Sequence, residues 1–115
     1  MIFPCDVTVV IDADTIICAS GVHIRLAAIN AREKDGTCRH NAPCPDMRHA
    51  QAKPIVERMI LHRTIQCRQV GTSYRRIVAD CTYQGHSVSC GIVATRAAAW
   101  WAEYQRRYGM GGCAR

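Results

Sequence analysis

At 115 residues the chain is long enough for one compact domain and too short for two. Hydrophobic residues at 49% and charged residues at 21% exclude a disordered chain, and no apolar run is long enough for a membrane-crossing helix. The formal net charge of +6 favours a polyanionic partner, nucleic acid before an anionic membrane, because no basic amphipathic helix with a wide apolar face is present.

Val7 to Ile11 is β-branched throughout and reads as a strand, which Asp12-Ala13-Asp14 interrupts with turn chemistry. Thr15 to Cys18 resumes the strand pattern, Ser20-Gly21 turns the chain, and Val22 to Ile29 alternates Val22, Ile24 and Leu26 against His23 and Arg25. The polar stretch from Asn30 to Ala52 reads as one long irregular loop, a length that is usually functional or cross-linked. Pro54 suits the first turn of a helix, and Ile55, Val56, Met59 and Ile60 give that helix an apolar stripe. Thr64 to Val70 and Arg76 to Tyr83 are two further strands around a Gly71-Thr72-Ser73 turn. Val88 is expected to open a short edge segment. From Ser89 on, Ile92, Val93 and the run Ala97 to Ala99 predict a last helix, and Gly109, Gly111 and Gly112 predict a flexible tail from about position 109. Three strands, a helix, two strands and a helix fit an α+β, mainly β domain: a small five-stranded OB-fold β-barrel with two to three helices, spanning 1–115.

Three clusters carry chemistry, each where a strand meets a loop. They are Asp12-Ala13-Asp14-Thr15, then Arg25-Leu26 with Asn30-Ala31-Arg32-Glu33, then Tyr74-Arg75-Arg76. Singly, a D-x-D is most often a solvated turn, and adjacent arginines are most often a solvated pair. Together and in this order they resemble the staphylococcal nuclease (thermonuclease) family. Its pattern is D-G-D-T, then R-L followed by G-I-D-A-P-E or a close variant, then Y-G-R. The corresponding stretches are D-A-D-T at Asp12 to Thr15, R-L-A-A-I-N-A-R-E at Arg25 to Glu33 and Y-R-R at Tyr74 to Arg76. Ala50, Gln51 and Ala52 ahead of the helix and Val88-Ser89-Cys90 extend the similarity, which runs from about Val7 to Tyr108.

The resemblance implies a metal-dependent endonuclease that hydrolyses DNA or RNA to 3′-phosphates, with single strands as the expected preference. It implies a Ca²⁺ ion held by Asp14, by Asn30 at the second ligand position and by the backbone carbonyl of Ala31. Glu33 would position or deprotonate the attacking water, Arg25 and Arg76 would clamp the scissile phosphate, and Tyr74, with Arg75 beside it, would contact nucleic acid. Ca²⁺ prefers oxygen donors, and guanidinium forks match phosphate oxygens as negative charge builds. Three positions depart from the pattern. Asn30 replaces an aspartate and removes one negative ligand charge, so weaker Ca²⁺ binding is expected. Arg32 replaces a proline. Arg75 replaces a glycine, and would be strained if that position needs positive φ. These departures keep open a second reading, a weak or inactive module of the same barrel that only binds nucleic acid.

Eight cysteines, an even number, favour disulfides and a periplasmic or secreted location, and Met1 to Asp6 lead straight into a strand-like segment rather than a signal peptide. Cys38 and Cys44 are expected to pair and stiffen the loop; Cys67 and Cys81, placed symmetrically about Tyr74, face each other if the hairpin geometry allows it. Zinc on Cys38, His40, Cys44 and His49 is the rival, disfavoured because tight C-x₂₋₄-C spacing is missing. A disulfide-rich secreted protein that binds protein or membrane is a third reading, though it leaves the ordered motifs unexplained. The expected state is a monomer with no obligate protein partner.

Overall fold

A computed structural model describes residues 2–113. The first strand, β1 (Ile2–Asp12), is longer than its apolar core suggests and serves two neighbours. Its first half pairs antiparallel with β5 (Thr64–Ser73), from Ile2↔Arg68 to Asp6↔Thr64. Its second half pairs antiparallel with β2 (Thr15–Cys18), from Val7↔Cys18 to Asp12↔Thr15. Register shifts at Val7/Val9 and Val10/Asp12 bend the strand, as bulges do, and let one strand turn a corner of a barrel. β3 (His23–Leu26) continues the meander after a turn in which Gly21 takes φ +90°, a conformation glycine adopts without penalty.

Closure comes from a distant pairing. β6 (Arg76–Tyr83) is antiparallel to β5 and parallel to β3, with Ile24↔Ile77, Arg25↔Val78 and Leu26↔Ala79 in register. Strands β1, β2, β3, β5 and β6 therefore form a closed, mixed five-stranded barrel of OB-like form, as expected from the order of strand and helix signals. Two small additions extend it. β4 (Ile29–Asn30) pairs with β8 (Ala99–Trp100), and β7 (His86–Ser87) adds to the end of β6. The barrel interior is filled by Cys5, Val7, Val10, Ile16, Ile24, Leu26, Ile65 and Cys67, nearly all aliphatic or sulfur-bearing.

Among the described residues three helices cover the barrel, and the first two depart from their sequence pattern for a physical reason. α1 (His49–Ile60) begins before Pro54, so the proline lies inside the helix rather than in its opening turn. The helix forgoes the bond that a residue-54 N–H would give to the Ala50 carbonyl. It keeps its register because Ala52, Val56 and Ile60 bury one stripe in the core. α2 (Val88–Ala94) starts at Val88, where a strand edge was expected. Ser87 caps it, its Oγ accepting from the Cys90 N–H at 3.0 Å. α2 ends before the alanine run, where Thr95 Oγ1 bonds back to the Ile92 carbonyl and Arg96 turns at φ +69°. Ala97 and Ala98 are then buried, and Ala99 joins strand β8. Strand pairing with β4 overrides the helix propensity of alanine. α3 (Ala102–Arg107) follows.

Four disulfides staple this frame. Cys67–Cys81 joins directly paired positions of the β5–β6 hairpin, and Cys38–Cys44 closes the loop after β4; both were anticipated. The other two pairs are Cys5–Cys18, between β1 and β2, and Cys90–Cys113. The last of these, with Met110 buried at 6% exposure, ties down the segment after Gly109 that glycine content alone reads as a flexible tail. With both thiols of Cys38 and Cys44 bonded to each other, the zinc alternative loses its two sulfur ligands. Four disulfides suit an oxidising environment. No helix among the described residues is long and apolar enough to cross a membrane.

Candidate functional site

The β1–β2 turn is the seed of the site. Asp12↔Thr15 close a two-residue loop whose members, Ala13 and Asp14, are buried rather than solvated. A buried carboxylate needs partners, and Asp14 has three. Its Oδ1 accepts from Thr15 Oγ1 at 2.9 Å. Its Oδ2 accepts from the Ala31 N–H at 2.8 Å and lies 3.3 Å from Arg25 Nη2. Arg25 comes from β3 beside Thr15 and is itself only 8% exposed. Its Nη1 donates to the Leu26 carbonyl at 2.9 Å, and its Nη2 also donates to Asn30 Oδ1 at 3.3 Å. Burial pushes the Arg25 pKa down and the Asp14 carboxylate opposes that shift, while the neighbouring Arg39 and Arg76 charges add to it.

Arg76 reaches the same cluster from β6. Its Nη1 lies 3.5 Å from Thr15 Oγ1, a long contact, and its Nη2 donates to Ser73 Oγ at 3.2 Å. Thr15 thus links Asp14 to Arg76, although it belongs to none of the expected roles. Ala31 serves Asp14 through its amide. Glu33 sits at the rim, exposed, in a turn closed by Glu33 N–H to the Thr37 carbonyl at 2.8 Å. Partial desolvation, then Asp12 and Asp14, raise its pKa, while Arg25 and Arg39 pull it down. Glu33 is therefore within electrostatic reach of the cluster.

Two expected residues stand apart. Tyr74 is 90% exposed at the tip of the β5–β6 hairpin, and neither it nor the exposed Arg75 bonds to the cluster. The positive φ of that turn falls on Tyr74, at +57°, and not on Arg75. The departure from glycine at position 75 is thus accommodated without strain there.

No family model and no curated protein matches the chain.

Beside the buried cluster opens a cleft of about 240 Å³ whose lining includes Arg25, Arg39, Ser73, Trp101, Tyr104 and Arg107. Its aromatic wall is built by α3. Trp101 and Tyr104 meet edge to face at 4.7 Å, Tyr104 and Tyr108 lie 5.5 Å apart, and the Arg107 guanidinium stands 4.9 Å over the Tyr104 ring. Cationic groups next to aromatic faces suit an anionic ligand carrying a flat ring. These residues are not among the expected site residues. Their signal is the helical spacing of Trp101, Tyr104, Arg107 and Tyr108, which the adjacent alanine run masks.

The donor chemistry at Asp14 suits a hard cation. Asp14 Oδ2 and Asn30 Oδ1 converge on one positively charged nitrogen, Arg25 Nη2, 3.3 Å from each. The set is thin in charge: among the described residues no three His, Cys, Asp or Glu side chains group as a metal site. A second pair, His49 Nε2 with Asp12 Oδ1 at 2.9 Å, ties the start of α1 to the β1–β2 turn. The Asp12 pKa is raised by burial and by Asp14, with His49 opposing.

Proposed function

We propose that this protein is a nuclease of the staphylococcal nuclease type that binds single-stranded DNA or RNA and hydrolyses its phosphodiester backbone to 3′-phosphate products. The observation that supports it most is the meeting of Asp14, Arg25, Asn30 and Ala31, with Arg76 reaching them through Thr15, although they come from separate strands and loops. Arg25 and Arg76 are assigned to the scissile phosphate, where paired guanidinium groups gain most as negative charge develops. Glu33 is assigned to the attacking water, since a carboxylate whose pKa is raised is a better proton acceptor. Tyr74 and Arg75, free at the hairpin tip, are assigned to the nucleic acid beyond the cleft. Asp14, Asn30 and the Ala31 carbonyl would hold Ca²⁺, weakly because a single carboxylate is present. A divalent ion supplies phosphate charge screening and transition-state stabilisation. The protein acts as a monomer in the periplasm or outside the cell.

The test is incubation of single-stranded DNA with the protein in Ca²⁺, Mg²⁺, Mn²⁺ or chelator, with 3′-phosphate ends scored on the products. Cleavage in Ca²⁺ that stops in chelator is expected; no cleavage at protein levels far above trace refutes it. One observation favours a second reading, a barrel that binds nucleic acid without cutting it. Arg25 is bonded to both Asp14 and Asn30, so a metal ion and the guanidinium compete for the same oxygens. Metal-independent binding that Glu33→Gln leaves unchanged, without turnover, selects that reading.

A further inference from the structure

Like charges close together in a cleft repel, so something must hold them there. Arg39 and Arg25 both line the cleft, and Arg39 is near enough to depress the Arg25 pKa. Arg39 is exposed and makes no ion pair among the described residues. What restrains it is its loop. Cys38, the residue before it, is bonded to Cys44, and the Arg39 carbonyl accepts the Ala42 N–H at 3.0 Å inside the closed ring. The same loop reaches the site through two carbonyls. Pro43 accepts from Asn30 Nδ2 at 2.9 Å, and Pro45 accepts from Arg32 Nε at 2.7 Å. The loop is thus pinned at both of its prolines, to the last residue of β4 and to Arg32 just after it, with Arg39 lining the cleft.

We propose that the Cys38–Cys44 disulfide is a positioning device that holds Arg39 over the cleft as an additional contact for a nucleic-acid phosphate, beside the phosphate assigned to Arg25 and Arg76. This rests on the reading of the cleft as a nucleic-acid site. It adds a residue outside the ordered motifs and gives the loop disulfide a role distinct from the three that staple the barrel and the tail.

The experiment measures binding of a fluorescently labelled oligodeoxythymidylate in chelator over a series of salt concentrations. Four proteins are compared: wild type, Arg39→Ala, Cys38→Ser/Cys44→Ser, and the triple variant. One lost phosphate contact flattens the dependence of log K on log salt by about 0.7 on a single strand. Arg39→Ala should show that change, with Arg39→Lys restoring the slope. The double serine variant should show the same change, and adding Arg39→Ala to it should change nothing further. A wild-type slope in Arg39→Ala overturns the phosphate contact. A folded double serine variant with the wild-type slope overturns the positioning role, as does one that fails to fold, which makes the disulfide a folding requirement instead. Failure of the wild type to bind at low salt removes the nucleic-acid reading as well; binding with an unmoved Arg39→Ala slope removes this inference alone.

Discussion

Asp14→Ala should be among the more destabilising single substitutions available in this barrel, and the reason is Arg25. The substitution deletes an acceptor shared by the Thr15 hydroxyl, the Ala31 amide and the Arg25 guanidinium. Arg25 stays behind, 8% exposed, with only the Leu26 carbonyl and the Asn30 amide oxygen as partners among the described residues. Removing one partner of a buried ion pair costs about 3–5 kcal/mol, chiefly because the other charge is left uncompensated. The two surviving acceptors place Asp14→Ala near the lower end, about 3 kcal/mol. Asp14→Asn keeps an oxygen for the Ala31 N–H and should cost less, about 2 kcal/mol. Replacing both partners, Asp14→Ala with Arg25→Met, should recover part of the loss, because no charge then remains buried. Urea unfolding under non-reducing conditions measures all three. With a typical slope for a small domain, about 3 kcal/mol moves the midpoint by on the order of 1–3 M. A loss below about 1 kcal/mol for Asp14→Ala, or a double variant no more stable than Asp14→Ala alone, would refute the buried-pair account.

Tyr74→Gly should separate stability from binding. It relieves the positive φ at the hairpin tip and should change stability by no more than about 1 kcal/mol, while weakening single-stranded DNA binding in an anisotropy titration. Cleavage should fall as pH drops through the Glu33 pKa, because the base form is the active one. That pKa is raised, so the acid limb of the pH–rate profile should lie above the ordinary glutamate range, and Asp12→Asn should move it down. By the same sign, an ionised Glu33 with a raised folded pKa opposes folding at neutral pH, so Glu33→Gln should not destabilise the protein there. Loss of Cys90–Cys113, which spans 23 residues, should cost about 3 kcal/mol, and loss of Cys38–Cys44, which spans 6, about 2 kcal/mol, as read by thermal or urea unfolding.

The sequence carries the strand meander and the ordered cluster clearly, because both rest on local patterns. β-branched runs mark β1, β2, β3, β5 and β6, and the bend at Asp12 to Thr15 marks a turn. Cys67 and Cys81 are legible because a hairpin centred near Tyr74 puts equidistant residues opposite each other. What stays hidden depends on tertiary pairing. Ala97 to Ala99 look helical until β4 supplies a strand partner. Pro54 looks like a helix start until the stripe of Ala52, Val56 and Ile60 extends the helix backwards. The aromatic wall of the cleft is periodic in sequence, but nothing local says that Arg39, on a loop far along the chain, shares it. The burial of Asp14 is invisible for the same reason: a D-x-D turn looks solvated until Ala31 and Arg25 arrive to satisfy it.

The parallel pairing that closes the barrel has a consequence for when the chain acquires its chemistry. Arg25 lies on one of the two strands joined there, opposite Val78, and Arg76 opens the other. Contacts between residues so far apart along a chain carry a loop-closure entropy cost that local turns do not. A half-assembled barrel therefore owns both guanidinium groups yet cannot bring them to a common target. The two guanidinium groups share a target only in a chain whose β3–β6 seam is closed, so integrity of that one seam is a condition for the whole cluster.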